Sequence, residues 1–220
     1  MTPNWTILIA TLGQRQERFQ RLLQHLLPQI EQAEGRVNVL AYWNNGERPL
    51  AEVRQALVEE ADGTHISFVD DDDLVASTYV SCILKKLTDT PGIDYVGFRL
   101  QCYVDGHPLK PTYHSLKYDK WYDDTRGYYR DISHLNPVRR ELALKADFRK
   151  ADPPEDVSWA DQLRGVLRTQ QYVDDVMYQY YSSSTDTTWR PGAVQRPRVG
   201  QYFRPTVDSP YFRYHPESAE

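Results

Sequence analysis

The chain has 220 residues, 40% of them apolar, and a formal net charge of −5. That length suits one large domain or one domain with an appendage, and the apolar share supplies a core. The acidic balance gives no global basic field for nucleic acid or an anionic membrane. No apolar run approaches the roughly 18 residues of a membrane span, and no charged-then-apolar leader opens the chain. Cys82 and Cys102 have neither metal-ligand nor disulfide-framework spacing. A soluble, reduced, cytoplasmic protein is expected.

Taken in chain order, Trp5 to Ala10 is a short apolar run and reads as a buried strand, closed by a turn at Thr11-Leu12-Gly13. Phe19, Leu22, Leu23, Leu26 and Leu27 recur at helical spacing, and Pro28 predicts the end or a kink of that helix. Arg36 to Trp43 predicts a second strand and Asn44-Asn45-Gly46 a turn. A helix opening at Pro49 presents Leu50, Val53, Leu57 and Val58 on one face, and Thr64 to Val69 is the third strand. Ser77 is placed to cap a helix with Val80, Ile83, Leu84 and Leu87 inside. This alternation predicts a parallel, doubly wound sheet.

Beyond Gly92 the rhythm changes. Tyr95 to Val104 reads as a strand followed by a hairpin-type turn at Asp105-Gly106, while residues 107 to 131, rich in Tyr, Lys and Asp, give a weak signal. Many of the 16 tyrosines lie after residue 110, where they could line a stacking surface. A helix is expected over Val138 to Ala146, another with Trp159, Leu163 and Leu167 inside, and a strand over Tyr172 to Tyr181. From Ser182 onward Pro, Gly, Ser, Thr and Arg predict an irregular tail.

The chemically telling feature is the row Asp70 to Asp73, which directly follows the apolar run Ile66-Ser67-Phe68-Val69. Carboxylates crowded at a strand end repel one another unless a cation compensates them. Hard divalent cations take such oxygens together with substrate phosphates. Open α/β sheets bind ligands beyond the carboxyl ends of their strands. A solvated acidic loop or a helix cap is the competing reading.

The order of parts resembles the family-two glycosyltransferases of the GT-A fold over roughly residues 5 to 170. WTILIATLGQR is similar to that family's first strand and nucleotide loop, and VLAYWNNGE to the second strand with its base-contacting turn. HISFVDDDDLV resembles the strand ending in DxD, SHLNPVRRELAL the acceptor-side segment, and PEDVSWADQLRG the ED loop and helix. The resemblance implies a Mn²⁺ or Mg²⁺ ion on Asp72, with Asp70 on the ribose or metal side and Asp71 beside it. It implies nucleotide contacts from Thr11 and Arg15, and from Asn44 where the family usually has Asp. It makes Asp156 the catalytic base, Glu155 its support and His215 a further metal ligand. On the residues alone, Arg15 could face solvent, Asn44 could hold a plain Asn-Gly turn, Asp156 could cap its helix, and His215 could be a bystander in the tail. His65 reads as structural; His107, His114 and His134 could touch sugar, and Arg139 and Arg140 could meet phosphate.

The expected fold is therefore α/β, a GT-A-type, mostly parallel sheet flanked by helices. Residues 1–181 form one catalytic domain, with 1–92 as the nucleotide-sugar half and 93–181 as the acceptor half; 182–220 form a tail that could close as a lid. The expected function is metal-dependent, inverting transfer of a sugar from a nucleoside-diphosphate sugar to a hydroxyl of a glycan, lipid-linked sugar, protein or modified nucleic acid base, without an integral membrane segment. A sugar-phosphate nucleotidyltransferase and a non-catalytic nucleotide- or carbohydrate-binding protein are the alternatives.

Overall fold

A computed structural model describes residues 4–150, 154–183 and 209–216. The elements are β1 (Trp5–Leu12), α1 (Gln16–Glu31), β2 (Val37–Asn44), α2 (Leu50–Glu60), β3 (His65–Phe68), β4 (Leu74–Val75) and α3 (Tyr79–Asp89), then β5 (Tyr95–Val104), β6 (His107–Pro108), β7 (Thr112–His114), β8 (Tyr122–Asp123), β9 (Tyr128–Arg130), β10 (Val138–Arg139), α4 (Arg140–Ala143), α5 (Glu155–Leu163), β11 (Gln170–Ser182) and β12 (Tyr211–Tyr214).

Strand β1 lies between β2 and β3, parallel to both. All eight residues of β1 and all eight of β2 are buried, as expected of parallel strands covered on both faces. Alternation along β1 sends Trp5, Ile7 and Ile9 into one core with α1 and α3, and Leu8 and Ala10 into another with α2 and α5. The short β10 runs antiparallel to β3 and to the start of β5, joining the parallel half to the rest. Beyond it β5 carries β11 in parallel and β6 and β7 antiparallel. The sheet is thus mixed but mostly parallel over β1 to β3, with its long strands running in one direction.

Several local expectations are corrected. Helix α1 passes through Pro28 and ends only at Glu31. Ser77 does not cap α3; the N-cap position is Thr78, without a side-chain cap bond. Gln29 of α1 does that work instead, its Oε1 accepting from Val80 N at 3.1 Å while its Nε2 donates to Ala76 O at 3.0 Å. The helix expected from Val138 to Ala146 is a two-residue strand followed by the one-turn α4. The weak stretch from 107 to 131 is a small ladder of β6 to β9. Within the expected irregular tail, Tyr211–Tyr214 forms a strand antiparallel to β2. The body of the tail, 184–208, lies outside the described residues, as does the lid expected there. Cys82 and Cys102 are free thiols. Among the described residues no helix is long and apolar enough to cross a membrane.

His114 gives the fold a pH dependence. Its ring is buried, stacked near Phe98, and its Nδ1 lies 2.6 Å from Asn136 Oδ1. Burial pushes the imidazole down to about 4, against the Asn136 bond. The unfolded chain binds that proton near pH 6.5, so the folded state holds fewer protons between the two values. Stability from His114 is full above about pH 6.5 and is lost as pH falls toward 4, by about 3 kcal/mol. His114→Gln should be less stable at pH 7, and its deficit should shrink toward pH 4 in urea unfolding. An equal deficit at both pH values would contradict this.

Candidate active site

Strand β3 ends opposite Leu8 of β1, so the loop after β3 runs beside the last residues of β1. The four aspartates fan out from that loop. Asp71 is buried, accepting from Thr11 Oγ1 at 2.7 Å and from Arg15 NH1 at 3.0 Å. Burial pushes its carboxyl up to about 6, with Arg15 and Thr11 pulling the other way. Asp73 turns toward β11, accepting from Tyr178 OH at 2.8 Å and Tyr181 N at 2.7 Å. Burial and the nearby Asp70 raise its carboxyl well above the usual range. The same Tyr178 hydroxyl accepts from Asp70 N at 3.0 Å, so one phenol holds two residues of the row.

Asp70 faces the opposite side. Its Oδ1 is 3.1 Å from Arg54 NH2, and its Oδ2 is 3.7 Å from His134 Nε2. Burial alone would raise this carboxyl, but Arg54 and His134 hold it well below the usual range. Arg54, itself buried, also donates to Glu155 Oε1 at 2.6 Å. His134 Nδ1 is 3.7 Å from Asp156 Oδ2. A guanidinium and an imidazole therefore connect the aspartate row to the first turn of α5, 85 positions later by residue number for Asp70 and Glu155. At 3.7 Å the imidazole sits just beyond hydrogen-bond length from each carboxylate, and Nε2 has no hydrogen-bond partner among the described residues.

Asp156 is not the helix cap. The N-cap of α5 is Pro154, and Asp156 lies in the first turn, one-third exposed, with its carboxylate beside His134. Asp72 reaches the mouth of the site, with its Oδ2 3.2 Å from Arg15 and 3.4 Å from Arg18. Arg21 donates to the Asp72 carbonyl at 3.2 Å. Burial raises the Asp72 carboxyl, with Arg15 opposing and Asp70 adding to the shift. Among the described residues no three His, Cys, Asp or Glu side chains converge as a cage for a metal. The donor set fits a hard cation held by a carboxylate and by phosphate oxygens of a substrate, the usual arrangement for Mg²⁺.

The structure does not bring every expected residue here. Asn44 is buried in its turn, where its Oδ1 accepts from Glu47 N and Arg48 N and its Nδ2 donates to Arg48 O at 2.7 Å. That geometry belongs to a turn-holding asparagine rather than to a side chain aimed at a base. His215 lies 3.4 Å from Asn38 Nδ2 and 3.9 Å from Asp62. Asn38 pairs with Thr6 near the starts of β2 and β1, the end of the sheet opposite Asp72. His215 is carried there by β12, so the expected ligand set of Asp72 and His215 is not assembled. His65 is structural, with its Nε2 2.7 Å from Ile93 O. Arg139 pairs with Asp94, and Arg140 donates to the carbonyls of Val58 and Glu59, so neither is free for phosphate. His107 is exposed in β6.

Arg54, Tyr178, Arg18 and Arg21 were not among the expected site residues. The signal for Arg54 was present: with Leu50, Val53, Leu57 and Val58 it occupies the inward spacing of α2, where a charge must find a buried partner. Tyr178 carries no comparable signal in a strand rich in tyrosine.

These parts, a carboxylate row at the strand ends and an acidic helix start facing it, sit on an α/β fold of the GT-A type. Solved structures with this architecture include S. aureus TarS 1-349 in complex with UDP, 13% identical with a TM-score of 0.57 over 81% of this chain and 60% of that one. The same protein in complex with UDP-GlcNAc is 13% identical, with a TM-score of 0.56 over 84% of this chain and 59% of that one. A further structure of S. aureus TarS is 13% identical, with a TM-score of 0.54 over 82% of this chain and 37% of that one. The chain thus spans about 60% of the length of the TarS fragment. No protein-family model and no curated protein matches the sequence.

Arg54→Met should separate the two halves of the site. Glu155 and Asp70 are each about a quarter exposed and keep some hydration. The loss should therefore fall below that of a fully buried broken pair, at about 1–3 kcal/mol in chemical unfolding. Arg54→Lys, which keeps the charge but not the fork, should lie between; a neutral outcome for Arg54→Met would show that the bridge does not hold the site together.

Proposed function

We propose that the chain is a nucleotide-sugar-dependent glycosyltransferase of the family-two kind, inverting and metal-dependent. The observation that carries this reading is the meeting of Asp70 and Asp156 across His134, reinforced by the Arg54 bridge to Glu155. A carboxylate row suited to a diphosphate's metal and a separate, partly exposed carboxylate suited to proton removal then share one cleft. S. aureus TarS binds UDP and UDP-GlcNAc, which makes uridine nucleotides the first donors to try. Residues 1–92 are assigned to the donor and 93–181 to the acceptor.

In this mechanism the acceptor hydroxyl lies beside Asp156. As its oxygen forms a bond to the anomeric carbon, the carbon–oxygen bond to the diphosphate breaks on the opposite face, which inverts the centre. The Asp156 carboxylate takes the hydroxyl proton. The His134 ring stands beside that carboxylate, 3.7 Å from its Oδ2. Asp72, with Asp70 nearby, would hold a Mn²⁺ or Mg²⁺ ion, whose chemistry is to neutralise charge on the departing diphosphate. Arg15 and Arg18 flank Asp72 and stand ready to exchange that carboxylate for phosphate oxygens. A nucleotidyltransferase would want a glycine-rich basic loop after β1, and residues 11–16 offer one glycine, Gly13.

Two variants test this reading. Asp156→Asn should keep a near-normal melting temperature and donor affinity while transfer falls by about 10²–10⁴; full activity in that variant would remove Asp156 as the base and with it the inverting assignment. Asp72→Ala should abolish the Mn²⁺-dependent part of UDP binding in calorimetry. Equal UDP affinity with and without Mn²⁺ in the unaltered protein would rule out the metal site.

A further inference from the structure

A cavity of about 580 Å³, lined by none of the four aspartates of the row, lies among the strands β7 to β9 and the start of β11. It falls in the size range of ligand sites, roughly 300–1,000 Å³. One wall is a column of phenol rings. Tyr113 stacks on Tyr129 at 5.3 Å between centroids and 12° between planes, and Tyr129 stacks on Tyr122 at 4.6 Å and 18°. Tyr122, at the outer end, is 42% exposed. Tyr118 packs edge-on against that column, 5.9 Å from Tyr122 and 5.1 Å from Tyr129, and beyond it stands Tyr172, with the Lys117 ammonium 5.0 Å and 5.7 Å above the Tyr118 and Tyr172 rings. Gly97 admits the Tyr172 ring, because a Cβ there would stand 2.9 Å from it.

The remaining lining is charged but balanced. Lys117 and Arg126 are matched by Asp124 and Asp174. Asp124 is paired with Arg126 at 3.3 Å, and Asp174 with Arg99 at 3.3 Å. The four lining charges sum to zero, so the lining as a whole favours neither an anion nor a cation. It offers flat aromatic faces surrounded by fixed donors and acceptors. That combination suits an uncharged ring with an apolar face and a rim of hydroxyls. Phosphate-bearing nucleic acid is disfavoured, since no basic track leads through the cavity.

We propose that this cavity is a binding subsite for a neutral oligosaccharide, holding the distal part of a glycan acceptor whose reactive hydroxyl lies at Asp156. The proposal deepens the glycosyltransferase reading and rests on it for the word acceptor. Strand β11 runs from the cavity to the aspartate row: Tyr172 lines the cavity, and Tyr178 and Tyr181, farther along the strand, hold Asp73. Six residues of extended chain span at most about 20 Å. A chain of several sugars, rather than one ring, would engage both.

The test is calorimetric titration of the full chain with chitotetraose, cellotetraose and maltotetraose, with tetragalacturonate as the anionic counterpart. At least one neutral tetrasaccharide should bind saturably, and Tyr122→Ala should weaken it by about tenfold while Tyr122→Trp retains it. Tyr118→Ala should weaken it too, and melting curves of each variant check the fold. Binding should persist in Asp156→Asn and without UDP. Absence of binding by all three neutral sugars, indifference to both alanine variants, or tighter binding of tetragalacturonate would overturn the proposal. UDP titration of the same proteins separates the two readings: sugar binding without UDP binding defeats the donor assignment and leaves the subsite standing, and UDP binding without sugar binding does the reverse.

Discussion

Four carboxylates in sequence at the end of a buried strand would repel one another in so small a volume, and the architecture of the site answers that repulsion. The aspartates are divided among several elements, with Asp71 and Asp72 sharing Arg15. Asp71 goes to Thr11 and Arg15, Asp72 to Arg15 and Arg18, Asp70 to Arg54 and His134, and Asp73 to β11. The row is a junction as much as a ligand set. It ties the turn after β1, helix α2, the first turn of α5 and strand β11 to one point. Arg54 is central because it is the buried cation that meets carboxylates from both halves of the chain. Compensation by fixed arginines and a phenol preorganises the oxygens without closing the mouth, where Asp72 remains partly exposed.

The two carboxylate groups have different surroundings, which suits different work. Asp70 is held strongly ionised beside Arg54. Asp71 and Asp73 are pushed toward the neutral form by burial. Asp156 lies one-third exposed, near an imidazole. A row of identical residues thus becomes a set of non-equivalent groups through burial and partners alone. The sharing of architecture with S. aureus TarS is a sharing of fold, and the chemistry argued for this chain rests on its own side chains.

Much of the fold was legible in residue order. The apolar runs of β1, β2 and β3 and the spacing of α1, α2 and α3 came from burial on two faces, a local signal. The carboxylate row stood out because like charges crowded at the end of a buried strand need compensation, whereas Glu155 and Asp156, ordinary residues for a helix start, stood out only through the family resemblance. What was not legible depended on distant partners. Gln29 replaced Ser77 as the cap of α3, a choice no local pattern reveals. Val138 and Arg139 became a strand because the gap between β3 and β5 needed one, overriding a helical pattern. Asn44 was read by analogy as a base contact, yet its turn consumed its hydrogen bonds. His215 was read as near Asp72 because it was the sole histidine late in the chain, whereas β12 carries it to the other end of the sheet.

Strand β12 has a consequence beyond the placement of His215. It covers the free edge of β2, a wholly buried, apolar strand whose unpaired amides would otherwise template self-association. The replacement edge is four residues long and carries Arg213, which reaches Glu60 and Asp62 across the sheet margin. A long sticky border is exchanged for a short charged one. Loss of the last dozen or so residues would therefore first show itself as a colloidal problem, with chains adding to one another edge by edge, even with the aspartate row and Asp156 still in place.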